Sequence, residues 1–117
     1  PESVASYVGD GQPPANFKTV KGWFPESFQG YEDIKWRFIH IDFDLYQPIK
    51  SGLEILWPRI VPGGVCIVHD YGCFGFPGAK KAVDEFRASR GITGELTWQA
   101  APDFGRSKRE AVWWLKQ

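Results

Sequence analysis

The stretch KWRFIHIDFDLYQP, from Lys35 to Pro48, joins an almost continuous apolar run to a cluster of Asp and Tyr residues. A second stretch, GVCIVHDYG from Gly64 to Gly72, has the same form and ends in His, Asp and Tyr. Continuous apolar runs of this length are typical of strands covered on both faces of a parallel sheet. The two stretches therefore predict buried strands with polar residues at their carboxyl ends.

Helical patterns separate and follow these strands. After Pro48, apolar residues recur at helical spacing, and Pro58 predicts an early end to that helix. The intervening VPGG (Val61 to Gly64) is typical of a turn. The clearest helix is AKKAVDEFRASRG, where apolar residues share one face and Gly91 supplies a stop.

Further strands are predicted at both ends of the chain. Phe17 to Lys21 alternates apolar with polar residues, which favours a strand. GELTWQAA and REAVWWLKQ predict a terminal antiparallel hairpin around the loop Pro102 to Lys108. The order of elements predicts an α/β fold in one domain, residues 1–117, with a mostly parallel sheet and a C-terminal antiparallel hairpin.

Composition and charge exclude several classes of protein. The 117 residues are 43% hydrophobic and 16% aromatic, which is too apolar for a disordered chain. Acidic and basic residues balance, so net charge gives no support for binding nucleic acid. No apolar run is long enough for a membrane span. The two cysteines lack a CxxC spacing, and we expect a reducing, cytoplasmic location.

Titratable residues follow the two buried strands. In an open parallel sheet, ligands bind outside the carboxyl ends of the strands, and neighbouring strands lie about 5 Å apart. Asp42, Asp44, His69 and Asp70 would crowd that edge. A protonated carboxyl, a cationic partner or a divalent metal would relieve the crowding. The alternative is structural, with the Asp residues capping helices or turns and His69 satisfied by a hydrogen bond.

Three stretches carry a resemblance to a known family. VKGWFPESF, FIHIDFDLYQPIKSGLEILWPRIVPGGVCIVHDYG and FPGAKKAVDEFRASRGI closely resemble the macrocin-type (TylF-like) O-methyltransferases. The resemblance implies a Rossmann-like class I fold that uses S-adenosylmethionine and Mg²⁺ or another divalent metal. It further implies methyl transfer to a hydroxyl of a sugar or similar small molecule.

The resemblance also assigns residues. It makes Asp42, His69 and Asp70 the metal ligands and Asp44 the candidate general base. His69 stands where many relatives have Asp, so a borderline metal such as Mn²⁺ could be preferred over Mg²⁺.

Two tyrosines belong to the same motifs. By position, Tyr46 and Tyr71 would line a substrate pocket, with core packing as the alternative.

One motif of the family has no counterpart in these residues, namely the Gly-rich cofactor-binding turn that follows the first strand. VGDG, from Val8 to Gly11, has no apolar strand before it, so no cofactor-binding residue is assigned. We expect the C-terminal part of the family's sheet, without its first two strands. The strand ending at Ile41 would then have an exposed edge, which predicts a homo-oligomer or a strand-swapped dimer, or pairing with Phe17 to Lys21.

Two functions remain open at this point. The chain is part of a metal-dependent O-methyltransferase, or it is a non-catalytic half-domain that binds a metal or ligand or acts in assembly. Binding of S-adenosylmethionine would distinguish the two hypotheses.

Overall fold

The computed structural model describes residues 14–73, 75–100 and 109–117. The chain divides into two compact units, Pro1–Gly30 and Tyr31–Gln117. The single domain expected over residues 1–117 stays a prediction.

The described part of the first unit contains a short 3-10 turn, Glu26–Phe28, and no strand. The prediction of a strand at Phe17 to Lys21 is therefore wrong. An alternating pattern makes a strand only where a neighbouring strand satisfies its backbone groups, and none pairs with these residues.

The second unit is an α/β fold whose elements alternate along the chain. These are β1 (Trp36–Ile41), α1 (Tyr46–Leu56), β2 (Ile60–His69), α2 (Pro77–Ser89), β3 (Thr97–Ala100) and β4 (Arg109–Leu115). The described sheet has the order β1-β2-β4-β3; β1 and β2 are parallel, and the other two pairings are antiparallel. The α/β class and the terminal hairpin are confirmed. The described sheet is mixed because β4 runs antiparallel to both β2 and β3, while β1 and β2 are parallel.

Both helices end where the sequence predicts. Helix α1 ends at Leu56 and continues as a 3-10 turn, Trp57–Arg59, because Pro58 has no N–H to donate within a helix. Helix α2 ends at Ser89, and Gly91 follows with a φ of 63°. A left-handed residue after a helix is readily supplied by glycine.

The turn predicted at VPGG is wrong, because these residues belong to β2. Gly63 has a φ of 83°, and its N–H donates to the Lys116 carbonyl at 2.6 Å. The Lys116 N–H in turn donates to the Gly64 carbonyl at 2.9 Å. The glycines therefore form an irregular start to the strand, where positive φ carries no steric cost.

The core lies between one face of the sheet and the two helices. Its fully buried members include Ile41, Ile49, Leu53, Val68, Val83, Phe86, Val112 and Trp114. Burying such side chains contributes about 1.5–3 kcal/mol each. The helices approach closely at Gly78, where an added Cβ would lie 2.8 Å from the Tyr46 Cβ. This packing fixes the loops that follow β1 and β2.

One edge of the sheet carries no partner strand among the described residues. There β1 pairs only with β2, and Phe38 on β1 is 58% exposed. The expected dimer or strand swap stays a prediction. Among the described residues, no helix is both long enough and apolar enough to cross a membrane.

Candidate metal centre

The parallel pairing of β1 and β2 brings the predicted site residues to one edge. Ile41 lies opposite Val68, so the residues that follow each strand emerge side by side. Asp42 comes directly after β1, while His69 ends β2 and Asp70 follows it. The structure thus brings together residues that are far apart in the sequence.

Asp42, His69 and Asp70 each offer one ligand atom, and these atoms lie within 4.8 Å of one another. The His69 Nδ1 lies 2.9 Å from the Asp70 Oδ1 and 3.4 Å from the Asp42 Oδ1. The Asp42 side chain is 55% exposed and that of Asp70 only 10%. The cluster is therefore open to solvent on the Asp42 side.

This donor set fits a divalent metal. Ligand atoms about 2.1–2.3 Å from one ion lie about 3 Å apart when they bind at right angles. The separations from the His69 Nδ1 are close to that value. One imidazole nitrogen with two carboxylates suits Mn²⁺, Fe²⁺ or Zn²⁺ better than an all-oxygen set would.

Asp44 lies beside the cluster and has an unusual backbone. Its φ is 63° and that of Asp70 is 66°, in the left-handed region that non-glycine residues rarely adopt. The Leu45 N–H donates to the Phe43 carbonyl at 2.7 Å across Asp44, and the Cys73 N–H donates to the Asp70 carbonyl at 3.0 Å. Both aspartates therefore sit in tight turns after their strands.

The surroundings of Asp70 shift its pKa. Burial raises the pKa of Asp70 above its ordinary value, and the nearby Asp44 carboxyl raises it further. His69, whose Nδ1 lies 2.9 Å from the Asp70 Oδ1, lowers the pKa of Asp70 and partly opposes these effects. The charged form of Asp70 is thus disfavoured unless a cation lies nearby.

The two tyrosines contact helix α2. The Tyr71 hydroxyl donates to the Asp84 Oδ1 at 2.6 Å, and the Tyr46 hydroxyl donates to the Glu85 carboxylate. Tyr71 is only 8% exposed. These contacts favour the core-packing alternative, in which Tyr46 joins the start of α1 to α2 and Tyr71 joins the loop after β2 to α2.

Sequence reasoning missed His40 as a neighbour of the site. Its ring centroid lies 6.2 Å from that of His69, across the β1 and β2 pairing. Strand alternation gives the signal, because His40 and Asp42 are two residues apart and so lie on one side of the sheet.

Comparison with known proteins places this chain in a family. Residues 11–105 match the family described as Macrocin-O-methyltransferase (TylF). The chain is similar to the 8-demethyl-8-(2,3-dimethoxy-alpha-L-rhamnosyl)-tetracenomycin-C 4'-O-methyltransferase of Streptomyces olivaceus, with 33% identity over 67% of this chain and 29% of that protein. It is also similar to the Mycinamicin III 3''-O-methyltransferase of Micromonospora griseorubida, with 29% identity over 83% of this chain and 34% of that protein.

A solved structure agrees with these sequence matches. The O-methyltransferase NovP superposes with a TM-score of 0.67 and 31% identity, over 83% of this chain and 36% of that chain. The present chain thus spans about a third of the length of the relatives it matches. Because the family match extends over more than half of its residues, the chain belongs to the macrocin O-methyltransferase (TylF) family.

Proposed function

We propose that this chain contributes the metal site and the general base of an O-methyltransferase. The reaction would transfer a methyl group from S-adenosylmethionine to a hydroxyl of a sugar or similar small molecule. The supporting observation is the convergence of Asp42, His69 and Asp70 within 4.8 Å at the edge of the sheet. Homology to enzymes that methylate glycosylated natural products supports the same reaction class.

Asp42, His69 and Asp70 would hold the metal in this proposal. A bound divalent cation lowers the pKa of a coordinated hydroxyl and orients it. The two carboxylates contribute two negative charges, and the neutral imidazole leaves that total unchanged. The open side at Asp42 provides access for the acceptor, since its carboxylate is the most exposed of the three.

Asp44 is the general base in this proposal. Its carboxyl group is near enough to Asp70 to raise the pKa of that residue, and Asp44 itself is exposed. A base must be within hydrogen-bond reach of the proton it removes, and an acceptor hydroxyl at the metal site would satisfy that requirement. S-adenosylmethionine, when bound, supplies an electrophilic methyl group. No described residue is assigned to its binding.

The exposed edge of β1 supports a homo-oligomer or a strand-swapped dimer as the working form. Light scattering of the purified chain tests this proposal, and a strictly monomeric chain would contradict it. A cytoplasmic location accords with the free thiols of Cys66 and Cys73.

Calorimetric titration with Mn²⁺ tests the metal site. The wild-type chain should bind one Mn²⁺, and Asp70→Asn should weaken that binding at least tenfold. Asp33→Asn is a matched control, because it removes an exposed carboxylate outside the cluster and should leave affinity unchanged. Absence of saturable Mn²⁺ binding by the wild-type chain would overturn the proposal.

Titration with S-adenosylmethionine then separates the two candidate functions. Binding, followed by labelled methyl transfer to a sugar hydroxyl of a glycosylated small molecule, would support the methyltransferase. Metal binding without S-adenosylmethionine binding by the 117-residue chain would support a metal-binding or assembly module instead.

A further inference from the structure

A second candidate site lies away from the metal ligands. A cavity of about 230 Å³ is lined by Trp57, Arg90, Gly91, Ile92, Thr93, Gly94, Leu115, Lys116 and Gln117. The backbone of Lys116 pairs with that of Gly64 on β2. Gly64 and His69 are separated along β2 by roughly 17 Å. The cavity is therefore at the other end of the sheet from the proposed metal centre.

The cavity carries an excess of positive charge. Arg90 and Lys116 line it, and no carboxylate side chain is among the described residues that do. Burial lowers the pKa of Lys116, and the nearby positive charges of Lys35 and Arg90 lower it further. Neither Arg90 nor Lys116 forms a salt bridge within the described parts of the chain.

The carboxyl ends of the two helices carry partial negative charge and offset only part of this positive charge. Both helices end beside the cavity, and the Lys116 Nζ donates to the Trp57 carbonyl at 2.8 Å. Each helix end carries about half a negative charge, so two ends offset about one unit. Arg90, Lys116 and the nearby Lys35 exceed this offset, and the terminal carboxylate of Gln117 in the 117-residue chain offsets one further unit, which leaves an excess of about one positive charge.

Aromatic rings hold the two lining cations in place. The Lys116 Nζ lies 5.4 Å from the centroid of the Trp57 ring, and the Arg90 guanidinium lies 5.2 Å from that of Phe86. Cations on ring faces keep their charge available to a ligand, because a ring face is a weaker partner than a carboxylate. Thr93 adds a hydroxyl to the cavity wall.

We propose that this cavity binds a phosphate-type oxyanion, with Arg90 and Lys116 as its cationic contacts. The group would come from free phosphate or from a small phosphorylated molecule, whose apolar part Trp57, Ile92 and Leu115 would contact. This site is independent of the proposed methyl transfer. Absence of phosphate binding at the cavity would leave the result of the Mn²⁺ titration unaffected.

Amide and indole NMR at constant ionic strength tests the proposal. Inorganic phosphate should cause saturable shifts at Gly91, Gly94 and the Trp57 indole. If the natural ligand is a phosphorylated molecule, phenyl phosphate should bind more tightly than inorganic phosphate. If the natural ligand is free phosphate, the two probes should bind with equal affinity. Arg90→Gln should weaken binding about tenfold, as expected for losing one charge-assisted contact of about 1.4 kcal/mol.

Arg90→Gln is the decisive variant because the Arg90 side chain is exposed, so the fold should tolerate it. Lys81→Gln is the matched control, since it removes one exposed positive charge from α2 outside the cavity. An equal loss of phosphate binding in both variants would overturn the proposal. So would shifts that fail to saturate in the wild-type chain.

Discussion

Asp44 and Asp70 share a left-handed backbone conformation, with φ of 63° and 66°, at the ends of two neighbouring strands. The Asp44 carboxyl is also near enough to Asp70 to raise its pKa. Such a conformation is maintained only where the surrounding structure requires it, and it occurs preferentially at functional sites. The shared geometry therefore supports a single site built from both strand ends.

Glycine should be tolerated better than alanine at Asp44. An alanine at positive φ has a cost of about 1 kcal/mol that glycine does not have. In urea unfolding, Asp44→Gly should therefore be more stable than Asp44→Ala by about that amount. At Asp42, where φ is not positive, the order should reverse. The same order at both positions would contradict the assigned conformation.

Replacing the imidazole ligand should change metal preference. His69→Asp converts the set to three carboxylates, which suit the hard Mg²⁺ ion better than a nitrogen-containing set does. The ratio of Mn²⁺ to Mg²⁺ affinity, measured by calorimetry, should fall. The variant His40→Asn removes a neighbouring imidazole outside the ligand set without adding a charge, and it is the control. An unchanged ratio in His69→Asp would show that His69 is not a ligand.

Tyr71 should contribute to stability through Asp84. Tyr71→Phe removes a partly buried hydrogen bond and should lower the free energy of unfolding by about 1 kcal/mol. A double-mutant cycle with Asp84→Ala should give a coupling of similar size. Mn²⁺ affinity should not change in Tyr71→Phe. A loss of metal affinity without a loss of stability would favour a role at the site instead.

Alkaline pH should destabilise the fold through Cys66. Burial raises the pKa of its thiol from 9.0 to about 12. The contribution of this thiol to the free energy of unfolding is fully present below pH 9. It is lost as the pH rises from 9 to 12, because the unfolded chain loses this proton first. The total effect is at most about 4 kcal/mol. Cys66→Ala should show a shallower fall than Cys73→Ala in denaturant unfolding across that range. Equal slopes would contradict the assignment.

Substitution of Gly78 should lower the stability of the protein, because helix α1 passes close to this residue. An added Cβ would lie 2.8 Å from the Tyr46 Cβ and 2.9 Å from its backbone nitrogen. Gly78→Ala should therefore destabilise the protein by about 1–3 kcal/mol, as overpacking does. At Gly75 the nearest atom would be 3.8 Å away, so Gly75→Ala should have little effect. Thermal unfolding of the two variants compares these positions directly.

The strands and helices that contribute to the core could be predicted from their own residues. The apolar runs of β1 and β2 indicate burial on their own, and Pro58 and Gly91 end helices through local backbone chemistry. The strand predicted at Phe17 to Lys21 failed because alternation alone does not supply a pairing partner. The turn predicted at VPGG failed because Lys116, distant in sequence, pairs with both of its glycines.

The residues of the candidate site could be identified before the fold was known, since Asp42, Asp44, His69 and Asp70 follow apolar runs that predict buried strands. The folded chain sets the distances from the His69 Nδ1, which are 2.9 Å to the Asp70 Oδ1 and 3.4 Å to the Asp42 Oδ1. It also decided that the Tyr71 hydroxyl bonds to Asp84. The reason is physical: local pattern fixes which face of an element is buried, whereas distances between side chains depend on the register and packing of elements far apart in the chain.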